Sequence, residues 1–245
     1  FQSYKDIRIR YIQWPHDFIG TLNYGLSLTR GKYVAQIDHD DIMLPFRLQT
    51  QFDLMESNKD VAACGGFMTI FGRNDAVLQS PLEYKDIILE FLKRSTGPIY
   101  NSTGFIRRNI FTDYNVRYKY GYSFAADTKF WTDIIRVGKV VNLLTSLTLY
   151  RTYDKQTSVK TYSESSKAAD VIRRELVDFL FSKINGDEKL KCEMNETLLP
   201  LLSKMTDMSF FSSKGYSDFL AEIIEGLHNN GFINLNKPLD SNEPW

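Results

Sequence analysis

The sequence predicts a Rossmann-like α/β protein with a mostly parallel sheet, helices on both faces of that sheet, and a helical C-terminal appendage. Two observations predict this class. Strand-like and helix-like segments alternate over residues 1–158, which is the pattern of a parallel sheet joined by helices. From residue 159 to residue 245 only helical patterns remain. We therefore expect an α/β domain over the first range and a helical region over the second.

The chain opens with a predicted strand, a helix and a second strand. Apolar and charged residues alternate over residues 7–12, which indicates a short strand. Asp17 stands where it can cap a helix, and Gly31 stands where that helix would end. Residues 33–37 form a compact apolar strand that leads directly into Asp-His-Asp-Asp at residues 38–41, the acidic run.

The remaining elements continue the alternation and then give way to helices. In order, they are a helix over 46–56, a strand over 61–71, a polar loop over 75–83, a helix over 84–93, a strand over 99–107, a helix over 127–137, a strand over 140–150, and helices over 163–184, 188–205 and 216–228. Pro45 suits the start of the first of these helices. Gly65-Gly66 is expected to break the strand over 61–71, because glycine weakens strand interiors.

Charge and cysteine content narrow the classes of function. Thirty basic residues balance thirty acidic ones, so no overall field attracts nucleic acid or an anionic membrane. Cys64 and Cys192 are too few for a disulfide framework, which favours a reducing compartment. No apolar run approaches the ~18 residues of a membrane-spanning helix. We expect a cytoplasmic protein that binds no nucleic acid.

The acidic run lies where ligands bind in open α/β sheets, beyond the carboxyl end of a strand. Asp38 and Asp40 are separated by one residue, so both carboxylates can point the same way and share a hard cation with phosphate oxygens. Mg²⁺ or Mn²⁺ suits this use, because each takes oxygen ligands and keeps substrate phosphates in its shell. The alternative is a solvated turn that caps the next helix. The position between a buried strand and Leu44-Pro45 favours metal binding.

Residues 22–45, LNYGLSLTRGKYVAQIDHDDIMLP, closely resemble the central signature of glycosyltransferase family 2, whose members have a GT-A fold. The matching positions are Asn23, Gly25, Arg30, Gly31, Asp38, Asp40, Asp41 and Pro45. The resemblance continues through residues 101–103, 107–108 and 126–131. It covers residues 4–158 in all, and the later part of the chain carries no motif of the family.

The resemblance implies roles for five residues. Asp40 would ligate the metal ion, Mn²⁺ or Mg²⁺, and Asp38 would lie beside the donor ribose or this metal. Arg30 and Asn23 would belong to the donor-binding residues, and Asp127 would be the general base. Taken by itself, Asp127 has another explanation, because an aspartate at the start of a predicted helix is a favoured N-cap. The resemblance favours the general base.

Two positions depart from the family pattern. Members usually carry Glu-Asp where this chain has Ala126-Asp127, so the base is kept and the neighbouring carboxylate is lost. Tyr153 stands where many relatives carry a histidine that helps to hold the metal or the diphosphate. A phenol in that place can still hydrogen-bond a phosphate oxygen. Arg107 and Arg108 are expected to form an exposed basic pair, with contact to a phosphate as the alternative.

Enzymes resembling this chain open with two βα units that hold the base and ribose of the donor, including an early Asp-Asp-Gly segment. No such segment stands before Phe1. Since a βαβ unit takes roughly 30 residues or more, the resemblance implies that about 60 residues of the nucleotide pocket lie outside this sequence. The sheet edge left unpaired would favour self-association, and a homodimer is the expected form.

The resemblance implies an inverting transferase that moves one sugar from a nucleotide-diphosphate sugar, with UDP as the favoured nucleotide, to a hydroxyl group. The Gln-x-x-Arg-Trp motif of processive polysaccharide synthases is absent, so transfer of a single sugar in polysaccharide or glycolipid assembly is expected. The acceptor would be a saccharide or a lipid-linked molecule. A lipid-linked acceptor implies peripheral contact with the inner face of the membrane.

Two other functions stay open at this point. A phosphohydrolase with Asp38 as nucleophile and Asp40 as acid–base would also place DxD after a strand, but the later Lys and further acidic pair that it needs are not evident. A non-catalytic module that binds a sugar or a nucleotide, derived from a transferase, agrees with the departures at Ala126 and Tyr153. Changing Asp127 to Asn separates the readings, since it would abolish transfer and leave binding unaffected.

Overall fold

The structure is a computed structural model that describes residues 5–72, 76–93, 97–153, 161–183, 214–231 and 233–239. Over these ranges the chain forms a six-stranded sheet flanked by helices, which confirms the predicted α/β class. The strands are β1 (Tyr33–Ala35), β2 (Ile42–Met43), β3 (Val61–Phe71), β4 (Ala76–Leu78), β5 (Phe105–Arg107) and β6 (Lys139–Arg151). The helices are α1 (Phe18–Ser27), α2 (Arg47–Ser57), α3 (Tyr84–Lys93), α4 (Asn109–Thr112), α5 (Ala126–Val137), α6 (Tyr162–Ser182) and α7 (Lys214–Asn229). Short 3₁₀ turns, Asn101–Thr103 and Ser123–Ala125, precede β5 and α5.

The long elements form where the local sequence signals are strongest. Asp17 caps α1 by accepting a hydrogen bond from the Gly20 N–H at 3.0 Å. The bounds of β3 and α3 are those predicted, and α2, α5 and β6 differ from prediction by no more than one residue at either end. These elements combine a clear apolar period with a cap or a turn residue, so that the signal is contained in the element itself.

The sheet is mixed, with strands in the order β1-β5-β3-β6-β2 and β4 beside the second half of β3. Only the β3–β6 pairing is parallel, and the other four described pairings are antiparallel. The sequence predicted a mostly parallel sheet, because alternating strands and helices usually give one. Here β5 starts opposite Ala35 at the end of β1 and opposite Cys64 in the first half of β3, so it runs antiparallel between them.

Four local predictions differ from the structure. Residues 7–12 form no strand, and Ile7 is 96% exposed, because no described strand lies beside them to complete hydrogen bonding. The strand predicted over 33–37 is confined to β1, and that over 99–107 is confined to β5. The loop predicted over 75–83 contains β4. The helix predicted over 188–205 lies outside the described residues.

Gly65 and Gly66 lie inside β3 without ending it. A Cβ atom on Gly66 would lie 2.6 Å from the Leu147 side chain, and one on Gly65 would lie 2.5 Å from the Asn142 side-chain oxygen. Both side chains belong to β6, which pairs with β3 along its length through bulges on either side of Phe67. The glycines therefore allow the two long central strands to approach closely. A close approach of this kind is another reason for glycine inside a strand, besides a break in it.

Helices cover both faces of the sheet, as predicted. Adjacent strand residues belong to different apolar clusters, since Ala63 and Ile106 contribute to the larger one and Cys64 and Phe105 to the smaller one. The smaller cluster includes Met55 of α2, and the larger cluster includes buried residues of α3 and α5. Because neighbouring strand residues point to opposite faces, α2 covers one face and α3 and α5 cover the other.

The described C-terminal helices share the larger cluster with the α/β region. Leu176 and Leu180 of α6 and Leu220 and Ile224 of α7 are buried in it. The boundary predicted between residues 158 and 159 stays a prediction, but α6 and α7 pack on the same core as α3 and α5. Among the described residues, no helix has the length and hydropathy needed to cross a membrane.

Candidate active site

The acidic run lies beyond the end of β1, at the edge of the sheet where β5 begins. The Asp38 N–H donates to the Ser102 hydroxyl at 3.1 Å. The Asn101 side-chain amide donates to Asp38 Oδ1 at 3.4 Å. These hydrogen bonds hold Asp38 in place. Because Asp38 is exposed, its carboxylate remains accessible to solvent.

The end of β6 holds the other side of the acidic run. The Arg151 N–H donates to Asp41 Oδ1 at 3.1 Å, and the Arg151 guanidinium donates to the Asp40 carbonyl at 3.0 Å. The Tyr153 hydroxyl donates to Asp40 Oδ2 at 3.2 Å. The residue that departs from the family pattern therefore contacts the predicted metal ligand itself.

Asp41 differs from its two neighbours because it turns toward the protein. Burial raises the pKa of its carboxyl, and the charges of Asp38 and Asp40 act in the same direction. The Ser102 hydroxyl and the Arg151 N–H oppose this rise in pKa by hydrogen bonding. Asp41 thus fastens the acidic run to β6, whereas Asp38 is exposed and the Asp40 side chain keeps 20% of its surface exposed.

Arg47 is a buried residue of this site that the sequence prediction missed. Its guanidinium, with no exposed surface, donates to the carbonyls of Ser102 at 2.6 Å, Gln36 at 2.8 Å and Gly104 at 3.1 Å. Burial lowers the pKa of Arg47 to about 10, so it stays charged at neutral pH. The signal was available, because Arg47, Gln51 and Met55 recur every four residues and all face the core of the protein.

Arg107 is also buried, which corrects the prediction of an exposed basic pair. Its guanidinium donates to the carbonyls of Val61 at 2.6 Å and Met55 at 2.5 Å, and to the Tyr33 hydroxyl at 2.9 Å. These acceptors join α2 to the sheet. Contact with a phosphate, the alternative prediction, is wrong for Arg107, because its guanidinium N–H groups bond to acceptors inside the fold.

Asp127 lies in the first turn of α5, but it is not the N-cap. The cap position is Ala125, so Asp127 is the second residue of the helix, where a carboxylate is favoured by the helix dipole. Asp127 Oδ1 accepts a hydrogen bond from the Thr128 N–H at 2.7 Å. Ala126, which replaces the usual glutamate, is buried against the core. Asp127 is exposed, so the structure separates the two positions by burial.

Asp127 and Asp38 act on one buried phenol, that of Tyr118. Gln36 donates to the Tyr118 hydroxyl at 2.5 Å, and this hydroxyl donates to Asn101 Oδ1 at 3.4 Å. Burial raises the pKa of Tyr118, and the charges of Asp127 and Asp38 add to that rise. Protein atoms around Asp127 desolvate its carboxyl and raise its pKa, and the charge of Asp38 adds to this effect. The fold thus brings two predicted site residues, distant in the chain, near enough to one phenol for both charges to act on it.

The two other predicted donor-binding residues have different environments. The Asn23 side-chain amide donates to the Tyr118 carbonyl and accepts from the Tyr118 N–H, each at 2.9 Å. Asn23 therefore fixes the segment that carries Tyr118. Arg30 is exposed in the connection between α1 and β1. Direct contact of either residue with a donor stays a prediction.

The carboxylates of Asp38 and Asp40 supply only part of the ligand set that a metal ion needs. Among the described residues, no group of three or more His, Cys, Asp or Glu side chains is placed to hold one. The exposed carboxylate of Asp38 and the partly exposed one of Asp40 do fit a hard cation that takes its other ligands from water and from substrate phosphates, as Mg²⁺ does in many phosphate sites. Mn²⁺ or Mg²⁺ at this place is accordingly a proposal.

Comparison with known proteins shows the family to which this fold and its acidic run belong. The model of "Glycosyl transferase family 2" matches residues 1–125. An uncharacterized glycosyltransferase of Haemophilus influenzae is 30% identical over 201 residues, which cover 77% of this chain and 62% of the relative. A second, of Methanocaldococcus jannaschii, is 38% identical over 85 residues, or 33% of this chain and 29% of the relative.

A solved structure shares the fold. It is that of S. aureus TarS residues 1–349 in complex with UDP-GlcNAc, with a TM-score of 0.51 and 12% sequence identity over 85% of this chain and 52% of that one. The chain belongs to glycosyl transferase family 2 and has the GT-A fold. It spans about 62% of the length of its Haemophilus relative.

Proposed function

We propose that this chain transfers one sugar, with inversion, from a UDP-sugar to a hydroxyl of a saccharide or lipid-linked acceptor. The observation that carries the proposal is that Asn101 bonds to both Asp38 and the Tyr118 hydroxyl, and that the charge of Asp127 acts on the same phenol. Such a reaction needs one carboxylate that takes the proton of the acceptor hydroxyl. It also needs carboxylates that hold the metal ion beside the donor diphosphate. The UDP-GlcNAc in the TarS structure supports a nucleotide-sugar donor at the level of the fold.

In the proposed reaction Asp127 takes the proton of the acceptor hydroxyl as this oxygen attacks the anomeric carbon. The new carbon–oxygen bond forms on the face opposite the diphosphate, whose own bond to that carbon breaks. The electron pair of the broken bond leaves with the nucleoside diphosphate. The raised pKa of Asp127 suits this role, because it makes the carboxylate a better proton acceptor.

Asp40 and Asp38 would hold the Mn²⁺ or Mg²⁺ ion that the family implies. Such an ion, when bound, supplies positive charge to the departing diphosphate. Arg151 and Ser102 keep the backbone of the acidic run in place for this purpose. The Tyr153 hydroxyl orients the Asp40 carboxylate from the side of β6.

Replacing Asp40 with alanine should abolish metal-dependent binding of UDP. The change removes the carboxylate that would share the metal with the diphosphate, and we expect the calorimetric Kd for UDP with Mn²⁺ to rise at least about tenfold. Asp53→Ala, at an exposed position of α2, is the matched control and should bind UDP as the unchanged protein does. Equal Mn²⁺-dependent affinity in the Asp40 and Asp53 variants would remove Asp40 from the site.

The carboxyl of Asp127 should titrate above 3.8, the ordinary value for aspartate. A raised pKa means that the group is protonated at a higher pH, so transfer should be lost as pH falls through this raised value. Carbon-13 NMR of the labelled carboxyl measures the pKa without any need for substrate. We expect Asp38→Asn to lower it, because the variant removes a neighbouring negative charge. A value at or below 3.8 in the unchanged protein would contradict the electrostatic argument.

A place in polysaccharide or glycolipid assembly, contact with the inner face of a membrane and a homodimer are further parts of this proposal. The chain spans only part of its relatives, so these properties concern the whole protein. A non-catalytic binding module is the second candidate. It is favoured by Ala126 and Tyr153, which replace the residues usual at those positions of the family.

A further inference from the structure

Four aromatic residues alternate along the segment that leads into α5, and three of them are fixed by hydrogen bonds. Tyr118 bonds to Gln36 beyond β1. The Tyr120 hydroxyl donates to Asp17 at the start of α1 at 2.5 Å. The Tyr122 hydroxyl donates to Glu175 of α6 at 2.8 Å. The fourth aromatic, at residue 124, is Phe124, which has no polar group and is 49% exposed. The segment is thus tied to three parts of the fold and ends in an uncovered phenyl ring.

Phe124 and Asp127 are three residues apart at the junction where the 3₁₀ turn Ser123–Ala125 leads directly into α5. Residues three apart in helical turns lie on the same side, which places both side chains on one side of this junction. Ala125 and Ala126 between them are each 2% exposed, and Thr128 is 8% exposed. Over residues 124–131 only Phe124 and Asp127 are exposed.

The position of the Phe124 backbone is set by α6. The Ser165 hydroxyl donates to the Phe124 carbonyl at 3.2 Å, which holds the 3₁₀ turn against that helix. A backbone fixed in this way does not have to be ordered when a ligand covers the ring. Preorganisation of this kind lowers the entropic cost of binding.

We propose that Phe124 is the platform on which one pyranose ring of the acceptor stacks, with the hydroxyl to be glycosylated directed to Asp127. The inference rests on the proposed function and assigns a binding position to its acceptor. A pyranose has an apolar face of C–H groups and a polar rim of hydroxyls. An aromatic ring buries that face, while a neighbouring carboxylate accepts a proton from the rim.

The donor and the acceptor would bind at different parts of the proposed site. The donor diphosphate would bind beside Asp38 and Asp40, which follow the end of β1. Phe124 belongs to the segment fixed by α1 and α6, one helical turn before Asp127. The ring is therefore expected to select for the acceptor and to leave the affinity for the nucleotide unchanged.

The test measures binding of methyl glycosides of glucose, galactose and N-acetylglucosamine to the whole protein, with its nucleotide pocket, by saturation-transfer NMR in the presence of UDP and diamagnetic Mg²⁺. We expect the unchanged protein to bind at least one of these glycosides. Phe124→Ala and Phe124→Leu should weaken that binding about five- to tenfold, and Phe124→Trp should retain it. Calorimetry should give the same Kd for UDP in all of them. Phe18→Ala, another exposed phenylalanine in the first turn of a helix, should change neither measurement.

Three outcomes would overturn the platform. The first is glycoside binding by Phe124→Ala and Phe124→Leu that equals that of the unchanged protein. The second is an equal loss of binding in Phe18→Ala. The third is that the unchanged protein binds UDP but none of the three glycosides. Failure of the whole protein, with its nucleotide pocket, to bind UDP would instead contradict the proposed function, so the two failures are distinguishable.

Discussion

Replacing Asp127 with asparagine should abolish sugar transfer while leaving donor binding intact. The amide cannot take the proton of the acceptor hydroxyl, and a general base contributes about 10²–10⁴-fold to a rate. The asparagine oxygen can still accept the hydrogen bond from the Thr128 N–H, so the start of α5 should be preserved. The measurement is the rate of UDP release with and without acceptor, together with the calorimetric Kd for UDP.

Asp113→Asn is the matched control for this change, because Asp113 is an exposed carboxylate at the end of α4. It should transfer sugar at the rate of the unchanged protein. A loss of less than about tenfold in the Asp127 variant would exclude general-base catalysis by this residue. If the unchanged protein binds UDP and transfers no sugar to any acceptor, and the variant binds UDP equally well, the non-catalytic module becomes the better description.

Replacing Arg47 with methionine should lower the free energy of unfolding by about 3 kcal/mol. The carbonyls of Gln36, Ser102 and Gly104 each lose a charged donor, and methionine offers none in return. Gly104 and Ser102 keep other donors, so the unpaired Gln36 carbonyl should account for much of the loss. Urea denaturation followed by circular dichroism gives the free energy, with an unchanged slope expected.

The Arg47 change should also affect the candidate active site. Gln36 contacts the Tyr118 hydroxyl and Ser102 contacts the Asp38 N–H, so both arms of the site depend on carbonyls that Arg47 holds. Arg47→Lys should recover only part of the stability, because an ammonium group lacks the planar fork that reaches several acceptors at once. The control is Arg8→Met, at a position with its side chain 86% exposed, which should leave the unfolding midpoint unchanged. Equal midpoints for the Arg47 and Arg8 methionine variants would mean that the buried guanidinium adds no stability.

The order and extent of the main elements could be predicted from the sequence because their causes are local. The Asp17 cap, the apolar face of α3 and the long apolar runs of β3 and β6 each contain their own signal. The acidic run was predicted in the same way, since it directly follows the apolar residues of β1. Family membership also followed from sequence, because the signature over residues 22–45 is contiguous, and the family match confirms it.

The tertiary structure alone determined which distant groups meet. The contacts of Tyr153 with Asp40 and of Arg47 with three carbonyls, and the action of the Asp127 and Asp38 charges on the Tyr118 phenol, all join residues far apart in the chain. The direction of β5 and the absence of a strand over residues 7–12 are of the same kind. A strand depends on the neighbour with which it exchanges hydrogen bonds, and that neighbour comes from elsewhere in the chain. Hydrophobic period and capping act over one or two turns, whereas strand pairing and buried polar contacts form only when the whole chain has packed.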